Sequence, residues 1–214
     1  MARILLGATG SVAAIKVPEL FAALRRQGHE VRLVATRAAT YFFDVAPIRE
    51  HVSLDQDEWP AGGYRRGDPV LHIELRRWAE LFLIAPLDAN TLAKLACGLS
   101  DNCLTCVARA WDPARPVVLA PAMNTLMWEH PLTLRHLRQL ASDAGPGGRG
   151  GVPPNDSTPP AEVDLEALPE WINAHCPRLR VVEPVSRRLA CGDVGVGAMA
   201  AVQEIVAAVA AALG

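Results

Sequence analysis

Short, nearly unbroken apolar runs, set apart by stretches of helical periodicity, constrain this 214-residue chain more than any other feature of its sequence. The runs are Arg3 to Ala8, Val31 to Ala35, Leu81 to Ala85 and Pro116 to Ala120, with Arg180 to Val182 as a late addition. A strand with one wet face alternates apolar and polar residues; runs without that alternation belong to strands covered on both faces. Between them, Val12 to Arg26 repeats its apolar residues at helical spacing and stops at Gly28, a plausible C-cap. Ala89 to Cys97, Asn102 to Trp111 and Thr133 to Ala141 read as further helices, and Ile205 to Leu213 as a final packed one. Strand and helix in alternation predict an α/β fold built on a doubly wound parallel sheet, a Rossmann- or flavodoxin-like three-layer sandwich. Half of the residues are hydrophobic but only 5% are aromatic, so alanine, leucine and valine fill the interior.

The same sequence sets aside several classes of protein. Its formal net charge is −2 and no block of like charge occurs, so neither nucleic acid nor a membrane surface is an expected partner. No apolar run approaches the ~20 residues that span a bilayer. Ala2 to Leu6 reads as the start of a strand and not as a signal peptide. Cys97, Cys103, Cys106, Cys176 and Cys191 are odd in number, which argues against a disulfide framework and for a reducing, cytoplasmic compartment. Cys103 and Cys106 form a C-x-x-C without a second pair, so they read as one face of a helix and no metal site is expected. The whole of 1–214 is expected to be one domain. Its exception is a flexible insertion at about 142–178, rich in glycine and proline from Ser142 to Pro160, with a short helix within Glu162 to His175.

Candidate chemistry gathers where strands end. Thr9-Gly10-Ser11-Val12 turns the first strand into the first helix; free N–H groups and the Ser11 hydroxyl suit an anion. The spacing is neither G-x-G-x-x-G nor a P-loop. Pro86-Leu87-Asp88-Ala89-Asn90-Thr91 follows the third strand and suits a phosphate or a planar ring, or else simple helix capping by Asp88 or Asn90. Pro121 to Trp128 follows the fourth. There Asn124 can both donate and accept, and Met123, Met127 and Trp128 can wall an apolar pocket or belong to the core. His72 lies on an apolar stretch. Cys191 lies among glycines, in Leu189 to Met199, where a thiol is reachable.

Taken together, these segments resemble the homo-oligomeric flavin-containing cysteine decarboxylases. Pro86–Thr91 is similar to that family's P-x-S-A-N-T motif, with Asp88 in the serine position. Pro121–Trp128 is similar to its P-x-M-N-x-x-M-W motif, and Leu189–Met199 to its substrate clamp around a catalytic cysteine. Gly67 to Ala79 resembles the monofunctional plant and animal members almost residue for residue, and Ala198 stands where many bacterial members carry arginine. The resemblance covers roughly residues 2–141 and 179–205.

The resemblance implies a flavoprotein that binds FMN and converts 4'-phosphopantothenoylcysteine to 4'-phosphopantetheine in coenzyme A biosynthesis. It implies a homotrimer with each site shared between neighbours. It places Gly10, Ser11, Val12, Thr36, Asp88, Ala89, Asn90, Thr91 and Ala122 around the cofactor. Asn124, Met127, Arg188 and Ala190 fall to the substrate, His72 to the catalytic base and Cys191 to the proton donor. The chemistry explains the residue types. Direct loss of CO₂ from a cysteine carboxylate leaves an unstabilised carbanion. Oxidation of CH₂–SH to a thioaldehyde provides an electron sink, decarboxylation gives an enethiolate, and the product is then protonated and reduced. Histidine and cysteine suit proton transfer near neutrality. Two other readings of the same family stand beside this one: a regulatory flavin-binding subunit or protein phosphatase inhibitor, and a flavoenzyme that modifies peptide cysteines.

Overall fold

The computed structural model describes residues 1–144, 159–188 and 194–214. Six strands form one parallel sheet: β1 (Arg3–Ala8), β2 (Glu30–Ala35), β3 (Val52–Ser53), β4 (Leu81–Leu87), β5 (Val117–Pro121) and β6 (Leu179–Val181). Their spatial order is β3-β2-β1-β4-β5-β6. The order reverses direction between β1 and β4, and the crevice outside the carboxyl ends of those two strands is where doubly wound sheets take ligands.

The apolar runs of the sequence are two-faced because the side-chain period of a strand is two. Ile4, Leu6 and Ala8 of β1 enter one buried cluster with Leu81, Leu83 and Ala85 of β4. Leu5 of β1 enters the other, with Phe82, Ile84 and Leu87 of β4. The first cluster is closed by α1 (Val17–Arg26) and α9 (Val202–Leu213). The second is closed by α3 (Leu71–Trp78), α4 (Ala89–Cys97), α5 (Cys103–Arg109), α7 (Pro131–Ala144) and α8 (Leu168–His175). Helices on both faces of a parallel sheet make the three-layer sandwich that the alternation predicts.

Helix ends follow local chemistry. Helix α1 buries Val17, Leu20, Phe21 and Leu24, an i, i+3, i+4, i+7 stripe. Helix α4 opens on Asp88, whose carboxylate accepts from the Thr91 N–H. It closes on Gly98, whose φ of +70° favours glycine.

Four features depart from expectation. Strand β3 has only two residues and no apolar run to announce it. The sequence Gly67 to Ala79 contains α3, whose apolar side packs on its own sheet through Leu71, Leu75 and Trp78, with the Arg32 guanidinium 4.5 Å above the Trp78 ring. Near the C-terminus, β7 (Val185–Arg188) and β8 (Val194–Ala198) pair antiparallel as a separate two-stranded sheet. Of the segment expected as a flexible insertion, 145–158 lies outside the described residues, and its flanks are packed. Helix α7 runs on to Ala144, while Leu168, Ile172 and Cys176 are buried in the second cluster with Val163, Leu165 and Trp171 against it. Those six apolar residues stand close behind a glycine- and proline-rich stretch, whose composition dominated the reading of the whole segment.

Candidate active site

Three loops converge at the carboxyl ends of β1, β4 and β5. The turn after β1 leads through Ser11 into a short 3-10 helix, Val12–Lys16, with the Ser11 hydroxyl accepting from the Ala13 N–H. The loop after β4 is tied to that turn at two points. Thr9, fully buried, donates its hydroxyl to the Pro86 carbonyl at 2.8 Å and accepts from the Asp88 N–H at 2.7 Å. Asp88 takes the Gly10 N–H on Oδ2 at 3.0 Å and the Thr91 N–H on Oδ1 at 2.6 Å. One carboxylate therefore caps α4 and clasps the β1 loop together. A Cβ on Gly10 would come within 2.6 Å of the Ala38 Cβ, so only glycine allows this approach.

The loop after β5 adds Ala122, Met123 and Asn124. Ala122 N–H reaches the Leu87 carbonyl at 2.9 Å, and Met123 N–H the Gly197 carbonyl at 2.9 Å. The second contact seats β8 against the site. Gly197 has φ of +140°, and a Cβ there would meet the Met123 carbonyl oxygen at 2.4 Å, so the glycine is demanded twice. Asn124 caps the one-turn helix α6 (Thr125–Trp128), its Oδ1 accepting from the Leu126 N–H at 2.9 Å.

These loops enclose a cleft of about 760 Å³. Gly10, Ser11, Val12, Asp88, Ala89, Asn90, Ala122, Asn124 and Met127 line it, so most of the residues picked out at the strand ends do come together. Thr36 and Thr91 are not among the lining residues. Thr36 is buried, with its hydroxyl accepting from the Ala39 N–H, and Thr91 sits inside α4. Trp128 is likewise a core residue, while its neighbour Met127 is open to the cleft. The cleft also takes Ile15, Lys16, Phe42, Met123 and Met199. Lys16, a cation at the end of the 3-10 helix, carried no motif signal, because it reaches the cleft through a turn geometry that helical periodicity does not show.

His72 does not line the cleft. It sits on the first turn of α3, with Nδ1 2.6 Å from Glu58 Oε1 and its backbone N–H 2.8 Å from Glu58 Oε2. Glu58 ends the short helix α2 (Asp55–Glu58) and was not singled out in the sequence, where it is one acid among several in Asp55-Gln56-Asp57-Glu58. Cys103, which shares a helix with Cys106, is buried beside this pair. Burial, with the negative charge of Glu58 second, pushes its thiol well above the usual range. Arg188 falls on β7. Ala190 and Cys191 lie outside the described residues.

The family model described as Flavoprotein matches residues 1–147. The chain belongs to the flavoprotein family. This flavoprotein is 44% identical over 212 residues to the phosphopantothenoylcysteine decarboxylase of Mus musculus, an alignment covering 99% of this chain and 87% of that one. Among solved structures it resembles a PPC decarboxylase mutant complexed with pantothenoylaminoethenethiol, with TM-score 0.75 and 42% identity over 98% of this chain and 97% of that one. It also resembles the FMN binding protein AtHal3, with TM-score 0.72 and 42% identity over 98% and 95% of the two chains. Among the described residues of the flavoprotein no helix is long and apolar enough to cross a membrane.

Proposed function

We propose that this flavoprotein is an FMN-dependent phosphopantothenoylcysteine decarboxylase, forming 4'-phosphopantetheine in coenzyme A biosynthesis. The observation that carries the reading is the cleft at the sheet's switch point, walled by the same strand-end motifs that carry the resemblance to cysteine decarboxylases. The likeness to the mouse decarboxylase over nearly the whole chain supports it.

The residues present fit a flavin mononucleotide. Asn90 offers an amide, Phe42, Met123 and Met199 supply apolar surface for a planar ring, and Lys16, ion-paired with Glu19 at 2.9 Å, brings a cation to the cleft. Gly10 to Val12, Asp88 to Asn90 and Ala122 would hold it. When bound, flavin would supply a two-electron acceptor for the CH₂–SH group and return those electrons to the product. The chain's own side chains do the rest. Asn124 at the cleft wall grips the substrate carboxylate, with Met127 beside it and Arg188 and Ala190 assigned to substrate binding. His72 takes up a proton from the substrate and Cys191 returns one to the product.

In a single chain His72 lies away from the cleft, so the reading requires a second copy to bring it there. Val12, Ile15, Leu126 and Met127 are large apolar residues left exposed around the loops of the site, and Leu126 is 74% exposed. Such a patch suits a subunit contact. We assign the assembly as a homotrimer with shared sites and the compartment as cytoplasmic, the latter on cysteine usage.

Purified protein incubated with phosphopantothenoylcysteine and followed by mass spectrometry tests the reading. The expected protein is yellow, sediments as three copies, and converts the substrate with loss of one CO₂. A colourless protein that takes up no added FMN, or an unchanged substrate, overturns it.

A further inference from the structure

The buried Glu58–His72 pair dictates where the histidine proton sits. The Glu58 side chain is 5% exposed, so its oxygens depend on protein partners. Three donors or possible donors surround it. The backbone N–H of His72 can only donate, and it claims Oε2 at 2.8 Å. The Cys103 thiol, kept protonated by burial, lies 3.8 Å from the same oxygen. Imidazole Nδ1 lies 2.6 Å from Oε1. A carboxylate accepts and cannot donate, so a neutral His72 must carry its proton on Nδ1. The lone pair is then on Nε2, at the opposite edge of a ring that is 23% exposed.

The cage around Glu58 is itself anchored. Asp55, on the same short helix, accepts the Cys103 N–H at 2.9 Å and so joins α2 to the first turn of α5. Both ends of the carboxylate's surroundings, α3 and α5, are fixed by one helical turn of sequence.

We propose that Glu58 is a positioning residue that fixes His72 in its Nδ1-protonated tautomer and leaves Nε2 free to take a proton. This rests on the reading of His72 as the proton-transfer group of the decarboxylase. In that step the substrate S–H bond breaks, its electron pair stays on sulfur, and an Nε2–H bond forms. The resulting imidazolium is stabilised by the adjacent carboxylate, which itself gains no proton. The arrangement follows the general rule that a histidine's free nitrogen is set by the hydrogen bond its other nitrogen makes.

Glu58→Gln separates this role from packing, because the side chain keeps its shape and loses one acceptor. The glutamine carbonyl oxygen must face the obligate backbone donor of His72. Its NH₂ group then faces Nδ1, which has to accept, and the proton moves to Nε2. The experiment uses FMN-loaded enzyme labelled with ¹⁵N-histidine. Imidazole nitrogen shifts are read by long-range ¹H–¹⁵N correlation, with the His72 signals assigned through His72→Asn, and turnover is measured with phosphopantothenoylcysteine. We expect Nδ1–H in the parent enzyme and Nε2–H in Glu58→Gln, with kcat reduced on the order of 10²- to 10⁴-fold. KM and flavin content should stay within about twofold of the parent, since no cleft residue is touched. Glu58→Asp, a shorter carboxylate, should restore the parent tautomer and part of the rate even if the glutamine variant fails to fold. An Nε2–H signal in the parent enzyme overturns the proposal, and so does parent-level kcat in Glu58→Gln. If His72→Asn turns over normally, the reading of His72 fails, while the tautomer measurement still decides whether Glu58 sets it.

Discussion

Asp88 shows what one residue does at the junction of fold and site. Its two carboxylate oxygens serve two chains of backbone: Oδ1 caps α4 through Thr91, and Oδ2 holds the β1 loop through Gly10. The sequence marked this position as a departure from the serine of the resembling motif, and the geometry explains how an aspartate can stand there. Asp88→Ala should lower stability by about 1–2 kcal/mol, the cost of a lost helix cap, with the loosened loop weakening FMN affinity as well. Asp88→Ser should keep the cap, lose the reach to Gly10, and fall between the two. Urea denaturation and flavin titration of the three proteins measure this order; equal stability of Asp88→Ala and the parent refutes it. The candidate site was legible at such positions because capping residues and strand-end glycines are local signals. Glu58 was not legible: it meets His72 across 14 positions of sequence, through a fold that no local pattern specifies.

At the scale of elements, legibility followed burial. The central strands β1, β4 and β5 are covered on both faces, so their sequences are unbroken apolar runs. Strand β8 reads Val-Gly-Val-Gly-Ala, and glycine at alternate positions hides a strand. The reason lies in packing: Gly195 faces Thr125, where a Cβ would come within 2.5 Å of the hydroxyl, and Gly197 faces the Met123 carbonyl. The stretch after 158 was obscured by the composition of the segment before it, and one side chain adds to the core packing that holds it. Arg138 of α7 donates to the carbonyls of Pro159, Ala161 and Val163. A planar guanidinium presents five donors in a fixed fork and can hold three carbonyls, whereas a lysine gathers its three donors on one nitrogen. Arg138→Ala should therefore free this segment without unfolding the sheet. Amide exchange at Val163, Ala167 and Leu168 is expected to speed up by about tenfold or more, with core amides of β1 and β4 unchanged. Uniform exchange across the whole chain would show that the segment is not a separate unit.

The whole molecule carries shifted groups that together limit its stability at both ends of the pH scale. On the acid side, among the described residues, four groups are held below their usual values. His29 is lowered by burial and by the charge of the N-terminus, and His136 by burial and Arg135, from 6.5 in each case. Glu80 is lowered from 4.5 chiefly by the Arg3 backbone N–H, and Asp101 from 3.8 chiefly by its hydrogen bond to Lys94. Each binds protons less readily folded than unfolded. Their stabilisation is present above the usual value and is lost as pH falls through the depressed one. On the alkaline side the direction reverses. Burial pushes the Cys176 thiol up to about 11 from 9.0 and the Cys103 thiol further still. An unfolded chain releases those protons above pH 9.0 and the folded chain retains them, so this stabilisation is complete below 9.0 and drains away as pH rises towards 11. The melting temperature should then be flat between about pH 7 and 9 and decline on either side. Differential scanning calorimetry from about pH 4 to about pH 10.5 checks the shape. Cys176→Ala should make the alkaline limb shallower while leaving the acid limb in place. A melting temperature that rises steadily to pH 10.5 would mean that the two thiols ionise in the folded chain and that their burial does not hold.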